Sequence, residues 1–393
     1  MGFLLPSAST RRRFLVQGAA VGFVVLERSV SAQQPATFAG KIHDTRVVSQ
    51  LPHRYHGWPT ICRMADGTLL LACSGGRESH VCPFGRVELM RSHDGGENWS
   101  FPETVLDGPI DERDAGVLET RTGAILVTTF TSLAYADTLR SQSRRRTFTP
   151  QKLKRWTNAH QRVGEKDRQR ALGTWLVRSD DRGVNWSSPV NTLVNSPHGP
   201  IQLRDGRLLY AGKELWKSTG RIGVAQSHDD GNSWQWLAQI PTRPGDNPKD
   251  YHELHAVETR SGKLVAHIRN HNSRNQREIL QSESTDGGAK WSVPHPIGVW
   301  GLPSHLLVLK SGHLLMSYGY RRKPFGNQVR VSKDDGKTWS SPVTISDDGP
   351  GYDLGYPSTV ELNDGQLVTV WYERMSKSPY AVLRQARWTM SDV

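Results

Sequence analysis

Ser92-His93-Asp94-Gly95-Gly96-Glu97-Asn98-Trp99 is one of five copies of the pattern Ser-x-Asp-x-Gly-x-x-Trp, and this repeat decides the fold. The other copies are Ser179–Trp186, Ser227–Trp234, Ser284–Trp291 and Ser332–Trp339. The pattern suits a tight hairpin, because Asp accepts a hydrogen bond from the backbone two residues on, Gly adopts positive φ and Trp covers the turn with an apolar face. Copies separated by tens of residues indicate a repeat architecture with one supersecondary unit per copy.

A second repeat, a turn dipeptide followed by an apolar strand, alternates with the first. Its six copies are Asp66-Gly67, Thr122-Gly123, Asp205-Gly206, Ser261-Gly262, Ser311-Gly312 and Asp364-Gly365. Asp-Gly between apolar runs is a strong hairpin signal. Two short turns per unit indicate a four-stranded meander, so the sequence predicts an all-β, six-bladed β-propeller of four-stranded antiparallel blades. We expect the sixth blade to take a strand from around Lys41–Val48, which closes the ring.

The order of the turns predicts which rim of the propeller carries function. In a four-stranded meander the first and third turns share a rim, so the Gly turns and the Asp-containing boxes lie together. The opposite rim holds residues roughly 7–10 positions from each Gly turn, given usual strand and loop lengths. Many of these residues are polar or charged, including Arg77, Asp114, His198 and Glu253. We interpret this rim as the functional face.

The N-terminus has the features of an export signal. Thr10-Arg-Arg-Arg-Phe-Leu15 fits a twin-arginine motif, an apolar stretch covers Gly18–Leu26, and Val30-Ser-Ala32 is a cleavage site of small residues. The sequence therefore predicts a signal over residues 1–32, a propeller over residues 33–393, and a periplasmic or secreted bacterial protein without a stable membrane anchor after signal removal. The alternative is a disordered basic start with a short membrane anchor.

One basic stretch breaks the repeat. The chain between Gly123 and Gly206 is long, and the excess, about residues 139–170, carries eleven Lys or Arg against Glu165 and Asp167. Together with the signal it accounts for the formal charge of +12, so the propeller body is near neutral. The stretch predicts either contact with an anionic polysaccharide, lipid or nucleic acid, or a solvated helical excursion in the second blade. Nucleic-acid binding as the main function is disfavoured, since no aromatic-interleaved motif accompanies the charge.

Cysteine usage argues against a metal centre. Cys62, Cys73 and Cys82 show no ligand spacing for zinc or an iron–sulfur cluster. We interpret all three as small buried residues and expect no cofactor. The chain is also expected to be a monomer.

The boxes are similar to the Asp boxes of the sialidase (neuraminidase) superfamily, and the resemblance covers essentially all of Lys41–Val393. It implies a six-bladed propeller in which the boxes are structural and lie away from the active site. It also implies a catalytic Tyr and Glu, onto which Tyr356 (before Asp364-Gly365) and Glu253 (before Gly262) map.

The same resemblance implies a set of substrate-binding residues. Arg269 matches one member of the family's carboxylate-binding Arg triad, and Arg321, or its neighbour Arg322, lies near the position of another. Arg77 matches the Arg that ends the first blade's second strand, and Asp114 matches an acidic residue that opens the second blade. Two positions differ from the family pattern. Gly57-Trp58-Pro59 replaces Arg-Ile-Pro, and the loop Glu78–Pro83 lacks the acid/base Asp. His80 is then the best-placed acid, with Glu78 next, and Trp58 is either a sugar-stacking platform or a packing residue.

These residue types suit cleavage of an acidic sugar. A Tyr nucleophile activated by a Glu base avoids the repulsion that a carboxylate nucleophile meets at a carboxylated anomeric carbon. Arg side chains bind the substrate carboxylate through bidentate bonds. We therefore expect an exported exo-glycoside hydrolase for a sialic-acid-like or uronic sugar. Two alternatives remain: a polysaccharide lyase or unrelated glycosidase that uses His80 and Tyr356, and a non-catalytic propeller that binds carbohydrate or protein.

Overall fold

A computed structural model describes residues 37–392, which form six four-stranded antiparallel sheets. The first strand, β1 (Phe38–Val47), belongs to the last sheet. Blade 1 contains β2 (Tyr55–Arg63), β3 (Leu69–Arg77), β4 (Arg86–Ser92) and β5 (Glu103–Leu106). Blade 2 contains β6 (Asp111–Glu119), β7 (Ile125–Ser132), β8 (Thr174–Ser179) and β9 (Val190–Asn191). Blade 3 contains β10 (Ile201–Gln202), β11 (Leu208–Lys213), β12 (Ile222–Ser227) and β13 (Gln235–Gln239).

The remaining three blades repeat the pattern. Blade 4 follows a 3₁₀ turn (Pro248–Asp250) and contains β14 (Tyr251–Glu258), β15 (Leu264–Asn270), β16 (Glu278–Ser284) and β17 (His295–Trp300). Blade 5 contains β18 (Ser304–Val308), β19 (Leu314–Tyr320), β20 (Phe325–Ser332) and β21 (Val343–Gly349). Blade 6 contains β22 (Leu354–Glu361), β23 (Leu367–Arg374), β24 (Ala381–Asp392) and β1.

The predicted six-bladed β-propeller is therefore confirmed, including its closure. β1 pairs antiparallel with β24, from Phe38 opposite Asp392 to Val47 opposite Arg384, so the N-terminal strand completes the last blade. The predicted export signal, residues 1–32, lies outside the described residues. Among the residues that are described, no helix is long and apolar enough to span a bilayer.

The Asp boxes fasten the outer hairpins as their chemistry predicts. In Ser284–Trp291, the Asp286 carboxylate accepts bonds from the Ser284 hydroxyl and the Lys290 amide, both 2.9 Å long. The Ser284 hydroxyl in turn accepts a 3.0 Å bond from the amide of Gly288, which has a φ of 92°. Trp291 is buried against the core that blades 3 and 4 share. The box thus closes a turn and covers the seam between blades.

The inner strands carry β-bulges near the rim opposite the boxes. Register shifts fall after Gly57 in β2, Arg113 in β6, Tyr251 in β14 and Gly355 in β22. Three residues within these bulges have positive φ: Trp58 at 53°, Asp114 at 50° and Tyr356 at 52°. Bulges re-aim side chains, and strained non-glycine backbone concentrates at functional sites. The bulges therefore turn the end of four inner strands toward one another.

Four helices lie between β7 and β8, where the basic stretch interrupts the repeat. They are α1 (Ala134–Arg140), α2 (Gln142–Arg145), α3 (Pro150–Gln161) and α4 (Glu165–Arg170). α3 begins with Thr149 as N-cap, whose side chain accepts a bond from the Lys152 amide, and with Pro150 in the first turn. Trp156 and Tyr135 pack with Cys82 of blade 1 in one buried cluster. The helices are thus attached to the rim beside the loop that carries His80.

Candidate functional site

Tyr356, Glu253 and Arg269 meet where blades 4 and 6 face each other. The Tyr356 hydroxyl donates a 2.5 Å bond to Glu253 Oε1. Arg269 Nη1 donates to the same Oε1 at 2.8 Å and to the Tyr356 hydroxyl at 3.0 Å. The bulges in β14 and β22 bring the first two side chains together, and Arg269 comes from the neighbouring strand β15. The structure thus joins three residues that the sequence singles out.

The protonation states in this cluster are well separated. Burial, reinforced by the negative charge of Glu253, raises the pKa of Tyr356 well above its ordinary value. Burial also opposes ionisation of Glu253, but the charges of Arg269 and His252 and the bond from Tyr356 outweigh it and lower its pKa to about 2. The second carboxylate oxygen, Oε2, is buried and has no hydrogen-bond partner among residues 37–392. The cluster therefore pairs a neutral phenol with a carboxylate that can accept its proton.

Arg321 lies on the other side of Tyr356. Its Nε donates a 2.9 Å bond to the Leu354 carbonyl, and its guanidinium carbon is 5.8 Å from the centre of the Tyr356 ring. Gly355 is closely packed, because a Cβ there would lie 3.3 Å from Gly319 Cα, while it would meet Arg321 Nη2 at an ordinary contact distance of 3.6 Å. Gly355 also has a φ of 116°, which disfavours any side chain. Arg321 therefore brings a second positive charge to Tyr356.

A cavity of about 570 Å³ opens beside this cluster. Its charged and aromatic walls are His80, Arg321, Asp353, Tyr372 and Arg374. Tyr356 and Glu253 do not line it and are mostly buried: Tyr356 is 6% exposed and the Glu253 side chain 18%. The rings of Tyr356 and Tyr372 have centroids 5.8 Å apart, which connects the two regions. The cavity has the size of a small-molecule site and carries more positive than negative side chains.

His80 lies on the wall of this cavity and is held by a carboxylate. Its Nδ1 is 3.1 Å from Asp353 Oδ1 and 2.9 Å from the Tyr55 hydroxyl, which itself donates to Asp353 at 3.0 Å. The His80 side chain is 46% exposed. Burial lowers its pKa, and the bond with Asp353 offsets part of that shift. Glu78, the second candidate acid, instead accepts bonds from Arg155 and Trp156 of α3.

Asp114 lies deeper, in the bulge of β6. It is 7% exposed, and burial together with the charge of Glu253 raises its pKa to about 7, against the opposing charges of Arg113, Arg269 and Arg77. It is therefore a carboxyl group that changes protonation near neutral pH. Asp114 and Glu253 are thus close enough to influence each other electrostatically.

Two expected substrate-binding residues do not reach the cavity surface. Arg77 is fully buried, and its guanidinium binds Asp111 at 2.7 and 3.1 Å, the Ser74 hydroxyl and the His80 carbonyl. Trp58 is 1% exposed and packs between the guanidinium groups of Arg77 and Arg113, 4.9 and 4.4 Å from its ring centre. The substrate-binding role expected for Arg77 is therefore corrected, because its guanidinium forms a buried ion pair with Asp111. Trp58 follows the packing alternative, because its ring is stacked with two guanidinium groups inside the protein.

His198, also placed on the functional rim by the sequence, is buried in the central channel. Its ring lies 5.4 Å from that of His255 and 4.9 Å from that of His305, and the last two stack at 4.7 Å. Burial lowers the pKa of all three well below its ordinary value. The three rings are therefore neutral and pack against one another in the channel. Within residues 37–392 no group of three or more His, Cys, Asp or Glu side chains is arranged to hold a metal ion.

Sequence reasoning missed Asp353, Tyr55 and Tyr372. Asp353 links the other two, because its carboxylate accepts a 3.0 Å hydrogen bond from the Tyr55 hydroxyl and a 3.2 Å bond from the Tyr372 hydroxyl. A spacing signal was present: Tyr55, Asp111 and Asp353 each stand three residues before the bulge residues Trp58, Asp114 and Tyr356. That repeat marks the start of each inner strand as a place where polar side chains converge.

Comparison with known proteins agrees with this architecture. Residues 149–369 match the BNR repeat-like domain. A protein of unknown function from Dyadobacter fermentans superposes with a TM-score of 0.72 at 19% identity, over 90% of this chain and 100% of that one. The intramolecular trans-sialidase from Ruminococcus gnavus superposes with a TM-score of 0.62 at 15% identity, over 90% and 96% of the two chains.

A Hadza microbial sialidase has a TM-score of 0.61 at 18% identity, over 84% of this chain and 65% of that one. The predicted resemblance to the sialidase superfamily is thus confirmed at the level of the fold. No curated protein matches the sequence.

Proposed function

We propose that this chain, which belongs to the family of BNR repeat-like domains, is an exported, sialidase-like exo-glycoside hydrolase that acts on an acidic sugar. The observation that carries the proposal is the bond from the Tyr356 hydroxyl to Glu253 Oε1, with Arg269 bridging both groups. A protein that only binds sugars does not need a buried phenol paired with a buried carboxylate. Such a pair is what a neutral nucleophile with its base requires.

In the proposed reaction the Tyr356 oxygen attacks the anomeric carbon while Glu253 takes the phenolic proton. The glycosidic C–O bond breaks, and the leaving oxygen takes a proton from His80. Water then displaces Tyr356 from the sugar, and the protons on Glu253 and from the water return Tyr356 and His80 to their starting states. The enzyme is regenerated, with one glycosidic bond hydrolysed per turnover.

The scheme requires that substrate binding raise the low pKa of Glu253. In the free protein Arg269 neutralises Glu253, which weakens it as a base. A substrate carboxylate that binds Arg269 shares its positive charge, so the pKa of Glu253 rises toward a value suited to proton transfer. Substrate binding and activation of Tyr356 are thereby coupled through one guanidinium.

His80 is the proposed acid because it is exposed, lies on the cavity wall and is oriented by Asp353. A carboxylate on one ring nitrogen fixes the tautomer and favours the protonated ring. Since burial lowers the pKa of His80, its acid form is populated on the acidic side of neutral. The proposed enzyme therefore works best at mildly acidic pH.

Gly57 stands where sialidases carry an additional Arg, so the site retains Arg269 and Arg321 and gains Arg374 on the cavity wall. Without an Arg at position 57, the remaining guanidinium groups hold a substrate carboxylate in a different geometry. We expect weak or no activity on simple α-sialosides and better activity on another carboxylated sugar, such as a uronic acid.

A polysaccharide lyase is the second candidate, and one observation favours it. With a lowered pKa, His80 is neutral at pH 7 and is 2.9 Å from the Tyr55 hydroxyl, which resembles a base and acid pair for β-elimination. Elimination leaves a double bond in the product, whereas hydrolysis leaves a free reducing sugar without one.

The test is a panel of chromogenic acidic glycosides, each compared with its neutral methyl ester, with release of the aglycone and formation of double bonds both recorded. We expect hydrolysis of at least one free acid, much slower hydrolysis of its ester, and an affinity loss of roughly 10- to 150-fold in Arg269→Ala, from about 1.5–3 kcal/mol per charge-assisted contact. Arg322→Ala, an exposed neighbour stacked on Trp300, is the control. Equal rates on acid and ester contradict the carboxylate-binding role, and an unsaturated product favours the lyase.

A further inference from the structure

A second charged cavity, which we call the basic groove, lies on the far side of the His80 loop. Its volume is about 670 Å³. Arg54, Arg86, Lys152, Arg155 and Arg162 line it together with His53, Gly76, Glu78, Phe84, Asp107 and Tyr380. Helix α3 forms one wall, and the rims of blades 1 and 6 form the others. Five cationic side chains thus face two carboxylates in one concavity.

Most of the positive charge in the groove is not neutralised within it. Glu78 is paired with Arg155 at 2.9 Å, and Arg86 with the buried Glu88 at 2.8 Å. Arg54 and Lys152 form no ion pair among residues 37–392. Within the described part of the chain, the Arg162 side chain makes a single 3.4 Å bond, to the Gly108 carbonyl. Three cations therefore remain available to an anionic ligand, against the single carboxylate of Asp107.

The groove is built on a rigid support. Trp156 of α3 is buried among Cys82, Tyr135 and Phe148, and its indole N–H donates a 2.9 Å bond to Glu78 Oε2. Arg155 holds the other Glu78 oxygen at 3.0 Å. These bonds fix the face of α3 that presents Lys152 and Arg155. A preorganised wall reduces the entropy that side chains lose when a ligand binds.

The groove borders the candidate active site on the side of the proposed acid. Glu78 is two residues before His80, and Arg54 is adjacent to Tyr55, whose hydroxyl contacts His80. Under the proposed function, His80 protonates the leaving oxygen. The groove is therefore the neighbouring charged cavity that the group attached to that oxygen could reach.

We propose that the basic groove binds a carboxylate or sulfate group on the leaving portion of the substrate, and that the substrate is accordingly an acidic polysaccharide. This inference rests on the proposed function for its direction, while binding in the groove requires no turnover. The volume suits one or a few sugar rings. Arg54, Lys152 and Arg162 supply charge-assisted bonds to the anionic group.

The composition of the walls favours a sugar over a nucleic acid or a membrane. Asp107 adds an acceptor suited to sugar hydroxyl groups. Tyr380 offers one aromatic face, whereas single-stranded nucleic acid is bound on a series of aromatic side chains. A concave groove also gives a flat lipid surface little contact. The proposal thus gives the basic stretch an acidic polysaccharide as its ligand.

The proposal is tested by titration calorimetry with a heparin-derived hexasaccharide, with uncharged maltohexaose as the reference. Arg54→Ala/Lys152→Ala should weaken hexasaccharide binding at least about 10-fold. Lys154→Ala/Lys166→Ala removes the same charge from exposed positions of the same insertion, and Lys154 lies about 200° around α3 from Lys152. This control should change the affinity less than about 2-fold. Melting curves show whether each variant folds.

Three results overturn the proposal: equal weakening in both double variants, equal affinity for maltohexaose, or tighter binding of a duplex oligonucleotide or a phosphatidylserine vesicle than of the hexasaccharide. Chromatography of the same samples records whether the sugar is cleaved. If the unaltered protein does not bind the hexasaccharide but retains Tyr356-dependent hydrolysis of an acidic glycoside, only the groove is contradicted. Selective groove binding with no hydrolysis of any acidic glycoside contradicts only the proposed reaction.

Discussion

The hydroxyl of Tyr356 lies 2.5 Å from Glu253 Oε1, although the two residues come from blades 6 and 4 and are 103 positions apart. Each is delivered by a bulge at the end of an inner strand. A propeller makes this meeting available because all its inner strands surround one axis. The bond is the centre of the proposed chemistry, and Arg269 adjusts both of its ends.

Removing either partner of this bond should abolish turnover without unfolding the protein. We expect Tyr356→Phe and Glu253→Gln each to lower kcat by at least about 10²-fold, as for loss of a nucleophile or of its base. Steady-state kinetics on the best acidic substrate, with circular dichroism as a fold check, measures this. Tyr320→Phe, which removes a hydroxyl from the same rim beside Trp300, should keep near-normal turnover. Near-normal turnover in Tyr356→Phe would remove it from the mechanism.

Asp114 should make the protein less stable as pH rises through neutrality. Its pKa is about 7 in the folded protein against an ordinary 3.8, so between these values the folded state retains a proton that the unfolded state has released. Stability therefore falls with rising pH in this window. The channel histidines act in the opposite direction over this range, so the effect is measured as a difference: the melting temperature of Asp114→Asn minus that of the unaltered protein should increase as pH rises from about 5 to 8. Asp347→Asn, at an exposed position, is the control, and an unchanged pH profile in Asp114→Asn would contradict the assignment.

The channel histidines should make the protein acid-sensitive. His198, His255 and His305 are neutral and buried, with pKa values well below the ordinary 6.5. Below pH 6.5 the unfolded chain binds protons that the folded channel excludes, so stability is lost as the pH falls. The free energy of unfolding in urea should drop between pH about 7 and 5, and His255→Gln should reduce that drop. His43→Gln replaces an exposed histidine on β1 and should leave the pH dependence of the free energy of unfolding unchanged. If His255→Gln also leaves that pH dependence unchanged, the explanation is refuted.

The Asp boxes should contribute stability and not substrate affinity. Asp286→Ala removes the acceptor for Ser284 and Lys290, so the turn loses two hydrogen bonds on the rim away from the cavity. We expect a melting temperature lower by a few degrees and an unchanged KM. Calorimetry and kinetics on the same preparation measure both quantities. A selective change in KM at constant melting temperature would place this rim in the function.

The sequence predicted the fold because the fold depends on local chemistry. Each Asp box and each Gly turn is specified within about eight residues, and their alternation sets the number of blades and the closing strand β1. Tyr356, Glu253 and Arg269 were predicted through the resemblance to the sialidase superfamily, whose motif positions can be located relative to the Gly turns of this sequence.

The sequence could not predict how deeply side chains are buried or which side chains pair across blades. Arg77 and Trp58 are on the expected rim, but Asp111 and Arg113 draw them below the surface, and burial of this kind depends on the neighbouring blade. Asp353 reaches Tyr55 across 298 positions, which no local pattern encodes. The sequence shows the positive charge of the basic stretch but not the groove. The wall of the groove depends on the hydrogen bonds that Trp156 and Arg155 donate to Glu78.

The most direct test of the central claim is to trap the sugar on the protein. A fluorinated, activated glycoside of the best acidic substrate slows the second step, and peptide mass spectrometry then locates the label. The account predicts one covalent adduct on the Tyr356 hydroxyl, absent from Tyr356→Phe and much slower to form in Glu253→Gln. A label on another residue, or hydrolysis in Tyr356→Phe at the rate of the unaltered protein, would contradict it.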